Sequence, residues 1–193
     1  MFTALLDTNV LWPSLQRDFL LSLAAESLYR PIWSTGILEE VVECEVRRRV
    51  KRGAEPRAAS TAASRLIASA NDAFDDSCVT GWEGLVGTYG LPDPDDEHVL
   101  IAAVVGGAGA IVTANHKDFP AALIPNGINI TSPQRFALDT VSVHLGAAWV
   151  AIDTIAARFG NPPMTADQIL AVLEERYSMV DAVALLRASR PQA

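Results

Sequence analysis

Residues 91–120 read LPDPDDEHVLIAAVVGGAGAIVTANHKDFP, and they predict a helix that leads directly into a buried strand. Asp93 and the proline after it suit the N-cap and first position of the helix, and Gly106-Gly107 suits its end. Ala110 to Thr113 is short and apolar, as expected for a strand buried on both faces. Polar residues follow at once and end in Asp118, so an acid follows a buried strand.

The N-terminus, MFTALLDTNVLW in residues 1–12, repeats this pattern. Phe2 to Leu6 predicts a strand, Asp7 follows it, and Thr8 and Asn9 are placed to cap the next helix. Strands that alternate with helices predict an α/β fold with a parallel sheet, in which ligands bind beyond the carboxyl ends of the strands. We therefore expect both strand-end acids at the same edge of the sheet.

A helix is predicted by the segment GILEEVVECEVRRRV, residues 36–50, with a serine or threonine just ahead of it as the cap. The helix offers Glu39, Glu40 and Glu45 as acids, and its period does not decide between them. It ends in a basic cluster, which consists of Arg47, Arg48, Arg49, Lys51 and Arg52. Such a cluster usually complements the helix dipole on a solvated face, and the functional alternative is contact with an RNA backbone.

Size and composition suit one domain with an appendage, since the chain has 193 residues and 50% hydrophobic content. No apolar stretch approaches the ~20 residues of a spanning helix, and Asp7 interrupts the first apolar run too early for a signal peptide. We expect a cytoplasmic protein without membrane contact. Cys44 and Cys78 match no metal-ligand spacing and are expected to be ordinary free thiols.

The net charge of −8 argues against broad, non-specific attraction to nucleic acid. A nucleic-acid substrate would therefore need metal ions or a local basic patch. An acidic balance of this kind instead suits a site that holds cations.

The composition changes near residue 137, after which the chain is predicted to be helical. Residues 141–158 predict one helix, the sequence GNPP ends it, and Thr165 to Gln168 forms a capping box that opens a second. A third helix is predicted to open at Ser178. We divide the chain into an α/β domain, residues 1–137, and a C-terminal helical extension, residues 138–193. For the extension, covering the α/β domain is favoured over pairing two copies or receiving a partner.

Asp7, one acid of the 39–45 segment, Asp96 and Asp118 lie far apart in sequence but converge if they share one edge of the sheet. Like charges in close proximity raise each other's pKa, so such a cluster calls for a divalent cation. Carboxylate and water ligands suit Mg²⁺ or Mn²⁺. Such an ion polarises a phosphoryl oxygen and lowers the pKa of bound water, which supplies the nucleophile for phosphodiester hydrolysis.

Each of these residues also has a purely structural interpretation. Asp7 and Asp118 suit turns, and Asp96 suits the first turn of a helix. An acid after a strand also marks phosphoryl-accepting folds, but the DTN motif lacks the second acid that the phosphatase type uses. The histidines show no pairing with one another and are interpreted as surface or satisfied side chains: His98, His116 and His144.

Four segments resemble, in order, the acidic motifs of the PIN domain: LLDTNVL, STGILEEV, DPDDEHVLIAA and IVTANHKDFP. The resemblance covers about residues 2–137. It implies a three-layer α/β/α fold with a central parallel sheet. It also implies an Mg²⁺- or Mn²⁺-dependent endoribonuclease, often the VapC-type toxin of a bacterial toxin–antitoxin pair. The implied partners are an RNA substrate and a cognate antitoxin protein, and PIN domains commonly form homodimers.

The resemblance also implies a set of site residues. Asp7, Asp96 and Asp118 match metal-binding acids of the family, and Glu40 is chosen as the fourth because it lies six residues after Ser34. Supporting polar positions are matched by Asn9, Thr113 and Asn115, although some family members carry another acid where Asn115 stands. The alternative function is a catalytically idle PIN module that binds RNA or a protein partner.

Overall fold

A parallel five-stranded sheet lies at the centre of the protein in the computed structural model, which describes residues 1–160 and 162–190. The strand order is β3-β2-β1-β4-β5, and every adjacent pair is parallel. The strands are β1 (Thr3–Leu6), β2 (Arg30–Ser34), β3 (Cys78–Val79), β4 (Ala110–Val112) and β5 (Asn129–Thr131). The predicted α/β class with a central parallel sheet is confirmed.

Helices flank this sheet and continue into a helical C-terminal region, as predicted. They are α1 (Thr8–Leu11), α2 (Ser14–Ala25), α3 (Thr35–Lys51), α4 (Pro56–Ala73), α5 (Glu97–Val105), α6 (Pro133–Val143), α7 (Leu145–Arg158), α8 (Ala166–Tyr177) and α9 (Val180–Ala188). α5 packs against β1, β2 and β4, whereas α2 contacts β2 and also α6, α7 and α8. The C-terminal helices therefore cover α2.

The end of α5 is fixed by a close approach to the sheet. A Cβ atom on Gly106, the C-cap residue, would lie 2.4 Å from Ile32 Cδ1 and 2.8 Å from Val79 Cγ2. Only glycine fits so close to β2 and β3, and the next residue, Gly107, has a φ of +66°. The predicted cap at Asp93 is confirmed for the short 3-10 turn Pro94–Asp96, because its side chain accepts a hydrogen bond from Asp95 N. The α-helix itself begins later than predicted, at Glu97.

The prediction of one helix over residues 141–158 is wrong. α6 and α7 meet at His144 with a bend of 118°. His144 has an extended backbone, and its Nδ1 accepts a hydrogen bond from Ala147 N at 3.0 Å. The histidine thus caps α7, a role that helical periodicity does not reveal because both flanking segments are apolar-faced.

The capping box of Thr165 and Gln168 at the start of α8 is confirmed. The predicted helix start at Ser178 is wrong, because this residue is the C-cap of α8 and has a left-handed backbone with φ of 56°. α9 begins two residues later without a side-chain cap. A serine before an apolar run suits either end of a helix, and here the packing of α8 decides.

One hydrophobic core unites the α/β domain with the C-terminal helices. Phe19 and Leu20 of α2 are fully buried together with Ile152 of α7 and Leu173 of α8. α6 runs through the predicted domain boundary between residues 137 and 138, which stays a prediction. Among the described helices, none alone is long and apolar enough to cross a membrane; α6 and α7 reach that measure only as a sharply bent pair.

Candidate functional site

Asp7 stands at the carboxyl end of β1, in the centre of the sheet, and only 4% of it is exposed. Its Oδ1 accepts a hydrogen bond from Thr8 N at 2.6 Å, so Asp7 itself caps α1. The expectation that Thr8 and Asn9 cap this helix is wrong, because both already lie within α1. The cap fixes the carboxylate at the sheet edge.

Asn9 and Thr113 hold the ends of β1 and β4 together around this carboxylate. Thr113 Oγ1 donates to Asp7 Oδ2 at 2.6 Å, and Asn9 Nδ2 donates to the same oxygen. Asn9 Nδ2 also donates to Thr113 Oγ1 at 3.0 Å, and Asn9 Oδ1 accepts from Ala114 N at 2.8 Å. β2 and β3 lie on one side of β1, and after β3 the chain crosses to the other side, where β4 and β5 lie. The ends of β1 and β4 therefore form the switch point of the sheet, where α/β folds bind ligands.

Of the three candidate acids of α3, the structure brings Glu40 to this point. Thr8 Oγ1 donates a hydrogen bond to Glu40 Oε2, while Glu39 is exposed. Glu45 lies five residues further along α3, where Arg48 Nη2 and Arg49 Nε reach its Oε1 at 2.6 and 2.7 Å. Glu45 is therefore engaged by its own helix and does not face Asp7.

Asp96 and Asp118 approach from two short turns beside α5 and β4. Asp96 ends the turn Pro94–Asp96, and its Oδ2 accepts from Asn115 Nδ2 at 3.5 Å. Asp118 ends the turn His116–Asp118, and its side chain is 16% exposed. Lys117 Nζ lies 4.0 Å from Asp118 but is 84% exposed, so solvent weakens that pair. The structure thus brings the four predicted acids to one edge of the sheet.

Electrostatic strain marks this group of carboxylates. Burial, followed by the charges of Asp7 and Asp118, raises the pKa of Asp96 to about 6. Burial also raises the pKa of Asp7 above its ordinary value, although hydrogen bonds from Thr113 and Thr8 work against the rise. The pKa of Glu40 is likewise raised, chiefly by burial. A cation at this edge would relieve the repulsion.

The donor set suits a hydrated divalent ion. Among residues 1–160 and 162–190, no three Asp, Glu, His or Cys side chains are arranged so that all could hold an ion directly. Mg²⁺ usually keeps several water ligands and takes only one or two carboxylates, so direct contact with three acids is not required. Carboxylate, hydroxyl and amide oxygens surround the site, which are ligands for Mg²⁺ or Mn²⁺ rather than zinc.

Sequence reasoning missed two neighbours of these acids, His98 and Trp82. His98 Nε2 is buried without a hydrogen-bond partner and lies 3.6 Å from Glu40 Oε1; burial lowers the pKa of the ring. Trp82 packs 5.7 Å from the His98 ring, centroid to centroid, and its Nε1 donates to Thr35 Oγ1 at 3.3 Å. The interpretation of His98 as a surface or satisfied histidine is wrong, and only its position two residues after Asp96 hinted at this.

The residues of the basic cluster of α3 differ in their contacts. Arg48 and Arg49 pair with Glu45, and Arg48 also lines the neighbouring groove. Arg47, Lys51 and Arg52 line that groove, which has a volume of about 730 Å³. The free thiols Cys44 and Cys78 form no disulfide, as expected.

Comparison with known families agrees with this geometry. A model of the PIN domain matches residues 3–117, and a model of the VapC50 C-terminal domain matches residues 133–188. No curated protein and no solved structure matches the chain. Because the first match covers more than half of the chain, the chain belongs to the PIN domain family. The second match makes it a PIN protein of the VapC type, with the C-terminal helical domain of that group.

Proposed function

We propose that the protein is a divalent-metal-dependent endoribonuclease and the toxin of a toxin–antitoxin pair. The observation that carries the proposal is the gathering of Asp7, Glu40, Asp96 and Asp118 at the switch point of the sheet, where burial and the neighbouring negative charges raise the pKa of Asp96. The family match supports it, because PIN domains generally use divalent metals and the VapC type is typically a toxin ribonuclease.

The proposed ion would lie among these four carboxylates, bound directly by one or two of them and linked to the others through its water ligands. Once bound, it would polarise a phosphoryl oxygen and lower the pKa of water, as phosphodiester hydrolysis at neutral pH requires. The chain's own residues provide the positioning: Thr113 and Asn9 hold Asp7, and Thr8 holds Glu40. Because hydrolysis would release the 3′-oxygen, we expect products with a 5′-phosphate and a 3′-hydroxyl.

Asn9, Thr113 and Asn115 are proposed to support the acids and not to replace them. Thr113 Oγ1 accepts from Asn115 N at 3.0 Å while it donates to Asp7, so its proton is directed at the carboxylate. Asn115 Nδ2 faces Asp96. These donors stabilise ionised carboxylates, which are the forms that bind metal.

Cleavage of RNA tests the proposal directly. Purified protein is incubated with structured and unstructured RNA in Mg²⁺ or Mn²⁺, alongside an Asp7→Asn variant and a matched Asp153→Asn variant, whose acid is exposed on α7. We expect cleavage by the wild type and by Asp153→Asn, and its loss in EDTA and in Asp7→Asn. Cleavage that survives both EDTA and Asp7→Asn would refute the assignment.

One observation favours a second function, that of a catalytically idle PIN module which only binds RNA or protein. Within the described residues, no set of three ligating side chains is placed to hold an ion directly, and a module that only binds RNA or protein does not need such a set. The two functions differ in metal binding. RNA retention without saturable Mn²⁺ binding in calorimetry would select the idle module.

A further inference from the structure

A groove of about 730 Å³ lies between the two parts of the chain, beside the end of α3. One wall is formed by Trp12, which follows α1, and by Arg47, Lys51 and Arg52 of α3 and its C-cap. The facing wall is formed by Arg176 and Tyr177 at the end of α8. The C-terminal helical region therefore contributes side chains to a surface that begins in the PIN domain.

The charge of this groove is opposite to that of the protein. The chain carries a net charge of −8, yet every charged side chain that lines the groove is positive. Arg48, one of the lining residues, is compensated by Glu45. Arg47, Lys51 and Arg176 form no ion pair with any residue of the described chain. A concave surface with uncompensated cations attracts a polyanion.

Aromatic rings lie among these cations. Trp12 is 37% exposed, although a tryptophan side chain is usually better covered. The Arg176 guanidinium lies 5.8 Å from the centre of the Tyr177 ring. Aromatic rings interleaved with cations are the surface on which single-stranded bases stack while the backbone is neutralised.

One face of α3 connects the acidic site with the groove. Glu40, Cys44, Arg47 and Lys51 recur at helical spacing along one face of α3, which leads from the acids into the groove over ~10 to 16 Å. Thr8, which donates to Glu40, and Trp12 stand one turn apart at α1. One extended strand can therefore contact both regions.

We propose that this groove binds a single-stranded segment of the RNA substrate next to the cleavage site, and that Arg176 and Tyr177 of the C-terminal region contribute directly to this binding. The inference rests on the proposed ribonuclease function and adds that the substrate is unpaired where it leaves the acids. A duplex would hide its bases from the aromatic rings, so the groove selects single strands.

Fluorescence anisotropy in EDTA measures binding without cleavage. The probe is a fluorescein-labelled single-stranded oligoribonucleotide of mixed sequence, compared with a duplex of equal length. The variants are Arg176→Ala, the double change Arg176→Ala with Tyr177→Ala, and Arg65→Ala, whose arginine is exposed on α4 outside the groove. Arg176 is exposed, so its single variant keeps the test valid if the double variant folds poorly.

We expect the double variant to raise the Kd for the single strand by about tenfold or more, as the loss of a stacked ring and a cation predicts. Arg176→Ala alone should reduce the slope of log Kd against log salt by about 0.7, and Arg65→Ala should leave Kd within about twofold. The duplex should bind more weakly than the single strand.

An unchanged Kd and salt slope in Arg176→Ala would overturn the groove assignment even if the wild type cuts RNA. Unchanged RNA binding together with Arg176-dependent binding of a polyglutamate peptide would overturn it in favour of an acidic protein partner. Conversely, groove-dependent RNA binding by a protein that never cuts RNA with Mg²⁺ would support the groove as an RNA-binding surface and contradict the proposed ribonuclease function.

Discussion

Asp96 and Glu97 are neighbours in sequence, but the structure uses their carboxylates in opposite ways. Asp96 faces other acids, and its pKa rises to about 6 because of burial and their charges. Glu97 turns away into the protein, where its oxygens accept hydrogen bonds from Gly87 N, Tyr89 N and Gly90 N. Those backbone donors lower the pKa of Glu97 below its ordinary value.

The ionised carboxylate of Glu97 stabilises the fold, whereas the surroundings of Asp96 stabilise its ionised carboxylate poorly. Glu97 ties down the loop before α5, and Glu45 similarly serves α3: burial works to raise its pKa, but Arg48 and Arg49 outweigh that effect and lower it. Asp96 has no such cation among the described residues around it. A carboxylate held in repulsion is expected where a ligand completes the site.

The largest expected effect is on the repelled carboxylate. Asp96→Asn should reduce Mg²⁺-dependent RNA cleavage at least about 100-fold, because it removes a proposed ligand, and losing even an outer-shell partner typically costs 10- to 100-fold. The same change should raise the Tm of the metal-free protein, since a buried like charge disappears. Cleavage assays and thermal unfolding in EDTA measure the two effects.

Asp153→Asn provides the matched control, because this acid is exposed on α7. It should change neither quantity. Full cleavage by Asp96→Asn, or a lower Tm in EDTA, would place Asp96 in the same structural role as Glu97 and remove the distinction.

The next effect falls on the stabilising carboxylate. Glu97→Gln should lower the Tm by several degrees, because an amide cannot accept all three backbone hydrogen bonds and leaves at least one N–H unpaired. Glu83→Gln, an exposed change in the same loop region, is the control for charge removal. An unchanged Tm in Glu97→Gln would show that the loop does not depend on this carboxylate.

A third effect is the pH dependence of stability. Because the folded state raises the pKa of Asp96 to about 6 from 3.8, the folded form binds this proton more tightly than the unfolded form. Its contribution to stability is fully present below about pH 4 and is lost as the pH rises through 6. His98 has a lowered pKa and acts in the opposite direction, so wild type and Asp96→Asn must be compared.

The measurement is Tm between pH 7 and pH 5 in EDTA. The Tm of the wild type relative to Asp96→Asn should rise as the pH falls, and saturating Mg²⁺ should remove this trend because the cation competes with the proton. Parallel Tm curves for the two proteins in EDTA would contradict the raised pKa.

The smallest expected effect comes from adding an acid. Asn115 Nδ2 lies 3.5 Å from Asp96 Oδ2, so Asn115→Asp puts a further carboxylate beside the first. We expect Mn²⁺ affinity to increase several-fold and the Tm in EDTA to fall, since more negative charge then needs compensation. Calorimetric titration reads out the affinity, and unchanged Mn²⁺ binding would place Asn115 out of reach of the ion.

Local signals in the sequence were sufficient for most of the fold. Apolar strands, each followed by a polar residue, located β1 and β4, and capping residues located the start of α8 and the turn that leads into α5. The break at His144 and the end of α8 at Ser178 were predicted wrongly. Both depend on how α7 and α9 pack, and helical periodicity carries no information about that packing.

Without the family resemblance, the candidate site was predictable only where the backbone decides it. Asp7 and Thr113 follow strands of a parallel sheet, so topology alone brings them to one edge. Glu40 could not be separated from Glu45 by period, because the choice depends on Arg48 and Arg49 one turn further along. His98 and the wall formed by Arg176 and Tyr177 arise from tertiary packing between distant segments, for which the sequence contains no local pattern.

Calorimetric titration of the metal-free protein with Mn²⁺ decides whether the gathered carboxylates bind a divalent cation. We expect saturable binding that Mg²⁺ competes away, that weakens strongly in Asp96→Asn and that persists in Asp153→Asn. A folded wild-type protein that shows no saturable binding, or one whose binding is the same in Asp96→Asn, would contradict it.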